Sequence, residues 1–520
     1  MKIFKTAYSA TGAFSMLVTD YLNQHPALAP FYHRFPTPEN FKDQLADKQF
    51  SPEQRQLLAA ELEQQYTRLP EVHEAVRANI ELLKQPNTYT ITTGHQLSIF
   101  TGPLYFIYKI ITAIKTARQL KEIYPDYNFV PVYWMATEDH DFAEINHFNL
   151  FGKPYSWESE QKGAVGRFKT DGLVAVLEAL PEQYPLFEQA YTEYDTLANA
   201  TRCIAHDLFK EFGLVSIDAD APACKQTLLP VIQDELINQT AYQLVTETNS
   251  QLATAGYKTQ VMPREINLFY LDENLRERIV LEQDRYRVLN TDLVFSRDEI
   301  LALAQTNPEK FSPNVILRPL YQEILLPNLC YIGGGAEVAY WFQLKAMFDF
   351  YRVPFPIIML RNSALYIAKS QSARLQKLGL QPHDLFQEMP ALKKQVTAAY
   401  QDAGLHLDAE KKQVEAAFAQ VEKLAAAIDP TLSKTVAAEA QKAQNALDML
   451  EKKIVKANDT KYEVIYNQLQ TLKEKLFPGG SLQERTDNLL TYQTNNPDFI
   501  PALIAAFEPF EAQFTVLEEE

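Results

Sequence analysis

The sequence predicts an α/β fold: one parallel sheet, split by a large insertion and followed by a long helical hairpin. Three observations predict it. A strand, glycine loop, helix and strand occupy residues 88–150. Short apolar runs ending in glycine or arginine return at residues 312–363. An a/d apolar seam then runs from about Val414 to Leu476.

Residues 1–87 read as a helical region. Ser51-Pro52-Glu53 opens a helix through Leu57, Leu58, Leu62 and Tyr66, and a further helix covers about 71–84. Residues 88–160 read as the first half of the sheet core. Tyr89–Thr93 is β-branched and aromatic, which suits a strand. Gly94-His95-Gln96 interrupts it, and Thr101-Gly102-Pro103 reads as a helix start with Thr101 as N-cap. Leu104, Ile107, Ile111, Ile114 and Ala117 share one face of a helix reaching Ile123. Phe129–Met135 reads as a strand buried on both faces. Such a unit is a right-handed crossover with parallel strands. Gly94–Gln96 and Glu138–Asp141 then face one crevice at the carboxyl edge, where such sheets bind ligands.

Residues 161–311 read as inserted connecting structure. A helix near 197–212 precedes a strand at Leu214–Ile217, and Lys258–Met262 and Asn267–Leu271 read as an antiparallel pair. Residues 312–375 read as the second half of the core. Asn314–Leu317 is expected to end at Arg318. Leu329–Ile332 is followed by Gly333-Gly334-Gly335 and a helix from Ala336 to about Phe350, and Phe355–Leu360 ends at Arg361-Asn362-Ser363.

Residues 376–480 carry the seam: Val414, Phe418, Val421, Leu424 and Ile428, then Val436, Ala440, Ala443, Leu447, Leu450, Ile454 and Ala457. The step from Ile454 to Ile465 is a stutter. A helix over 431–476 would be about 70 Å long. We expect an antiparallel hairpin that forms a homodimer, with an intramolecular bundle as the alternative. Pro478-Gly479-Gly480 stops it, and 481–520 is expected to be a helical tail packed on the core.

The 520 residues suffice for two to four domains. A net charge of −17 disfavours a general nucleic-acid binder. Three separated cysteines, Cys203, Cys224 and Cys330, point to a cytoplasmic protein without a thiolate zinc site. No secretory leader and no membrane span are read.

The candidate chemistry lies at the expected carboxyl edge. Gly94, His95 and Gln96, with Gly102, are candidates for holding an anion on backbone N–H groups. Glu138, Asp139, His140 and Asp141 are candidates for binding an ammonium or sugar hydroxyls, with His140 as general base. His140, Glu144 and His147 on one helix face form a weaker metal alternative, and a solvated loop remains the plain one. Gly333, Gly334 and Gly335 would cradle a phosphate, although no P-loop Lys-Ser/Thr follows. Arg318 and Arg361 suit carboxylate or phosphate, and equally a structural ion pair. Cys330 reads as a buried thiol.

TTGHQLSIFTGPLYFIYK, VPVYWMATEDHDFAEINHF, PREINLFY and SPNVILRPLYQEILLPNLCYIGGGAEVAYWFQLK, with the late coiled coil, resemble the BshC family along essentially the whole chain. Its members are taken to be cysteine ligases that add L-cysteine to glucosaminyl-malate, through an amide bond, in the last step of bacillithiol biosynthesis. The resemblance implies a Rossmann-like core like that of class I aminoacyl-tRNA synthetases, inserted connecting domains and a dimerising coiled coil. By that analogy Gly94-His95 handles ATP phosphates, Mg²⁺ accompanies ATP, and Arg361-Asn362-Ser363 takes the place of a Lys-Met-Ser-Lys-Ser motif that this chain lacks.

The sequence therefore points to an amide-forming ligase acting on small molecules. The alternative is a non-catalytic nucleotide- or thiol-binding scaffold built on the coiled coil. A tRNA-charging enzyme is disfavoured by the charge and by the lack of a recognisable anticodon-binding module.

Overall fold

The computed structural model describes residues 1–398 and 407–519. Residues 399–406, part of the predicted coiled-coil segment, and Glu520 lie outside the described residues. The chain forms two compact units. One is Lys5–Leu365 with Ser481–Leu517; the other is Met1–Phe4, Tyr366–Gly480 and Glu518–Glu520.

The described strands, in chain order, are β1 (Lys2–Ala7), β2 (Thr88–His95), β3 (Asn128–Met135), β4 (His147–Leu150), β5 (Lys153–Ser156), β6 (Val215–Asp218), β7 (Leu268–Asp272) and β8 (Leu275–Glu282). They continue as β9 (Arg285–Val288), β10 (Val294–Phe295), β11 (Phe311–Pro313), β12 (Asn328–Gly333), β13 (Ile357–Leu360), β14 (Ala364–Ile367) and β15 (Gln513–Glu518). Five of them form a parallel sheet in the order β13-β12-β2-β3-β6. The helix Tyr105–Ile123 buries Ile107, Ile110, Ile111, Ile114 and Ala117. Ile91, Phe129, Leu329, Ile332, Ile357 and Met359 share one apolar cluster with Phe41 and Leu45. The chain moves one way along the sheet from β2 to β3 and the other way from β12 to β13. The order therefore reverses between β2 and β12, where open parallel sheets place their ligands.

Several predicted elements lie elsewhere in the fold. β6 pairs with β3, so a strand inside the stretch 161–311 belongs to the core sheet. Lys258–Met262 forms no strand, because the N–H groups of Gln260 and Val261 donate to Oε1 of Gln343 (2.8 and 3.1 Å). β7 pairs instead with β8 and β11 in an antiparallel sheet ordered β10-β9-β8-β7-β11. Asn314–Leu317 is a turn: Oδ1 of Asn314 accepts from the Ile316 N–H at 2.8 Å, and a helix starts at Arg318. The helix after the glycines is two helices, Gly335–Trp341 and Lys345–Tyr351.

Thr101 does not cap the helix, whose first residue is Tyr105. Phe100, Thr101 and Gly102 all have positive φ. At φ 58° and ψ −147°, Gly102 occupies a region that essentially only glycine enters.

In the other unit, helices Asp408–Ile428 and Leu432–Leu476 pack as a hairpin. Lys411 pairs with Asp448 (2.8 Å) and with Glu451, which fixes the antiparallel register. No helix among the described residues is long and apolar enough to cross a membrane.

Candidate active site

The carboxyl ends of β2 and β3 and the wall made by β7, β8 and β11 enclose a cleft of about 790 Å³. That volume suits a small-molecule site. Gly94, His95, Gln96, Glu138, Asp139 and Arg318 all line it, so residues more than 170 positions apart in the prediction meet here.

The acidic side is ordered around Gln96. Its Nε2 donates to Oδ2 of Asp139 (2.9 Å) and to Oε2 of Glu144 (2.7 Å). The N–H groups of His140 and Asp141 donate to Oδ1 of Asp139 (2.7 and 3.3 Å). Burial raises the pKa of Asp139, but the Gln96 bond, Arg276 and these two N–H groups outweigh it and hold the carboxyl below its ordinary value. A carboxylate so held is a good anion and a weak base. Glu138 is an ion-pair partner, its Oε2 accepting from buried Lys225 at 2.6 Å.

The floor lies at the reversal of strand order. Lys109 Nζ donates to the Gly94 carbonyl (2.9 Å) and pairs with Oε2 of Glu337 (2.5 Å). Oε2 of Glu337 also accepts from the Gly334 N–H (2.8 Å), and Oε1 accepts from Tyr331 Oη (2.6 Å). The glycine triplet therefore spends a backbone donor on Glu337, and Gly333, Gly334 and Gly335 are not among the lining residues. A Cβ at Gly94 would stand 3.2 Å from Tyr331 Oη and 3.5 Å from Arg318 Nη1. His95 is buried against Phe106 and Tyr105. Burial, with Lys109 and Arg361 nearby, holds its pKa well below the ordinary value, so the ring is neutral.

The facing wall is cationic, with Arg264, Arg276 and Arg278. Arg276 Nε donates to Ser312 Oγ (3.1 Å), and its guanidinium lies 4.0 Å from the Phe269 ring centre. Arg318 Nη2 donates to Tyr340 Oη (2.9 Å). No carboxylate of the described residues lies within 4 Å of Arg276 or Arg318. Behind this wall, Asn267 links Arg264 and Asn314. Its Nδ2 donates to the Arg264 carbonyl (2.8 Å), and its Oδ1 accepts from Asn314 Nδ2 (2.9 Å). Its own N–H and Nδ2 both donate to Oε1 of buried Glu235 (2.7 Å each).

Other predicted residues lie elsewhere. His140 does not line the cleft, and its Nδ1 faces Arg276 Nη1 at 2.6 Å. Asp141 is exposed beside it. His140, Glu144 and His147 share no helix face, because the local helix is only Phe142–Ile145 and His147 begins β4. Arg361 is buried in an ion pair with Glu484 (2.7 Å) and donates to Ser363 Oγ (2.8 Å). The Asn362 N–H donates to Thr112 Oγ1 (3.0 Å). Gly102 belongs to a loop pinned by Asn488.

Sequence reasoning missed Lys109, Arg276, Arg278 and Arg485. Lys109 had a signal, a lone lysine inside the apolar run Tyr105–Ile111. Arg276 and Arg278 had the period-two spacing that puts both on one strand face. Arg485 had none.

Two family models match: Bacillithiol biosynthesis BshC, N-terminal Rossmann-like domain, over residues 1–362, and Bacillithiol biosynthesis BshC, C-terminal coiled-coil domain, over 364–519. Three similar curated proteins are each provisionally named cysteine ligase BshC. The one from Flavobacterium johnsoniae is 44% identical, covering 98% of both chains. That from Cytophaga hutchinsonii is 41% identical, covering 95% of each. That from Salinibacter ruber is 32% identical, covering 96% of this chain and 95% of its own. A solved Campylobacter jejuni chain, provisionally titled arginyl-tRNA synthetase, aligns over 84% of this chain and 100% of its own, at 13% identity and a TM-score of 0.18, too low to argue from. A Rossmann-like parallel sheet, a long helical hairpin and matches along nearly the whole chain agree: this protein belongs to the BshC family of bacillithiol biosynthesis.

Proposed function

We propose that the chain is a ligase that joins the carboxyl group of L-cysteine to the amine of glucosaminyl-malate, the last step of bacillithiol biosynthesis. One observation carries this reading. The Asp139–Gln96–Glu144 array stands in the same cleft as Arg318, Arg276 and Arg278. Carboxylates suited to an ammonium thus share a cleft with arginines suited to carboxylate or phosphate.

In the reaction the amine nitrogen attacks the activated cysteine carbonyl carbon. A C–N bond forms, the activating group leaves with its electron pair, and the nitrogen gives up a proton. Asp139 and Glu144 hold the incoming amine. The Nδ1 of His140 is engaged by Arg276, so the proton leaves the nitrogen to a carboxylate of this pair or to the departing activating group, which carries off the electron pair. ATP, when bound, would supply activation of the carboxylate. Its phosphates fit Arg318 and the cationic wall better than the Gly333–Gly335 loop, whose Gly334 N–H is engaged by Glu337.

We also propose a homodimer through the hairpin, where Leu424 and Ile428 are 69% and 84% exposed on apolar seam positions. Leu424→Glu/Ile428→Glu should yield monomer in sedimentation; a dimer of unchanged affinity would refute this contact.

The reaction is tested with the purified protein, cysteine, glucosaminyl-malate and ATP, reading bacillithiol by mass spectrometry. Product that requires all three supports the reading. No product with or without ATP, from protein shown to be folded, would sink it.

A further inference from the structure

We propose that Arg485, on the segment that follows the hairpin, contacts an anionic group of the bound substrates, a carboxylate or a phosphate. In the same proposal Arg361–Glu484 is the pair that positions it. This rests on the ligase reading above.

Arg485 lines the cleft, yet it lies 167 residues beyond Arg318 in sequence (485 − 318). It is exposed, and its guanidinium has no hydrogen-bond or ion-pair partner among the described residues. The backbone around it is pinned on both sides. On one side, Glu484 is fully buried: Oε1 accepts from Arg361 Nη2 (2.7 Å) and Oε2 from the Ala364 N–H (3.1 Å). On the other, the Asp487 carbonyl accepts from the Leu104 N–H (2.9 Å). Asn488 Nδ2 donates to the carbonyls of Phe100 (2.7 Å) and Gly102 (2.8 Å).

A free surface arginine needs no such mooring. Burying an ion pair costs desolvation that its attraction barely repays, so such a pair is better explained by the geometry it fixes than by stability. Here that geometry is a cation held at the cleft, which Tyr105 also lines. A fixed backbone lessens the ordering cost that a long side chain otherwise carries into each contact. The predicted Arg361 thus acts at one remove, through Glu484.

The test is calorimetric titration of the full chain with glucosaminyl-malate, with cysteine and with ATP, for wild type, Arg485→Ala, Arg485→Lys and Glu484→Gln. Arg485→Ala should weaken one ligand about tenfold or more, the usual effect of a lost charge-assisted hydrogen bond. The ligand affected identifies carboxylate or phosphate as the source of the anion. Arg485→Lys should recover part of the loss. Glu484→Gln should reproduce it, with the double variant no weaker than Arg485→Ala alone. Unchanged affinities in Arg485→Ala would overturn the contact while leaving the ligase reading intact. Equal weakening of all three ligands with a lowered Tm would also overturn it, as a structural effect. Full binding by Glu484→Gln would overturn the positioning role. If wild type binds none of the three, both readings fall together.

Discussion

Arg276 donates from Nη1 to Nδ1 of His140 across 2.6 Å. A guanidinium can only donate, so Nδ1 is the acceptor and the imidazole proton resides on Nε2. The histidine that the sequence offers as a general base is thereby a support for an arginine of the cleft.

His140→Ala should accordingly lower kcat by about tenfold or less, the worth of one supporting hydrogen bond, while Arg276→Ala should lose more. Burial and then Arg276 hold the His140 pKa below its ordinary value. The folded state therefore resists protonation, and this contribution to stability falls as pH drops through the ordinary histidine range. Urea melts at pH 5 and 7.5 should show that loss in wild type and less of it in His140→Ala. Abolished turnover in a folded His140→Ala enzyme would restore the histidine to the chemistry.

Asp139→Asn keeps the size and removes the charge. We expect KM for the amine substrate to rise in a protein that stays folded but is modestly less stable at neutral pH. Because the folded-state pKa of Asp139 is depressed, its stabilisation is present above the ordinary aspartate range and disappears as pH falls through the lowered value. The difference between variant and wild type in denaturant should therefore shrink in acid. An unchanged KM would remove Asp139 from substrate binding.

Two glycines should separate function from fold. Gly94→Ala puts a Cβ near Tyr331 Oη and Arg318 in the cleft, so binding should weaken without unfolding. Gly102→Ala puts a Cβ 2.6 Å from that of Ser98 at a backbone angle closed to alanine. It should cost about 1–3 kcal/mol of stability. Thermal melts beside ligand titrations distinguish them, and a Gly102→Ala protein as stable as wild type would contradict this loop geometry.

Glu235 tests the wall behind Arg264 and Asn314. Burial is the main cause that pushes its carboxyl up to about 7, against the hydrogen bonds from Asn267 that lower it. The folded state then holds its proton more tightly than the unfolded chain does. Stability should fall as pH rises from the ordinary glutamate range through about 7, by about 3 kcal/mol in all at pH 8. Glu235→Gln keeps an acceptor for Asn267 and should flatten that slope in chemical denaturation. A slope equal to that of wild type would show that Glu235 is not its source.

Elements with a local signal can be read from the chain without its tertiary structure. β2, the helix Tyr105–Ile123, β3, β12, β13 and the hairpin were legible because strand and helix periods are written in consecutive residues. The carboxyl edge followed from parallel pairing, and with it Gly94–Gln96 and Asp139 at one cleft; Arg318 reaches that cleft from the start of a helix, after the turn that stands in place of the predicted strand. Tertiary structure alone decided which partner each polar group found. Gln343 took the backbone of residues 260–261 out of a strand, Glu337 took the donor of Gly334, and Glu484 drew Arg361 inward. It also brought Arg276, Arg278 and Arg485 to face the predicted edge. The reason is physical. Secondary structure follows from side chains a few positions apart, whereas a buried charge or amide must be satisfied by whatever group packing delivers, from any distance along the chain.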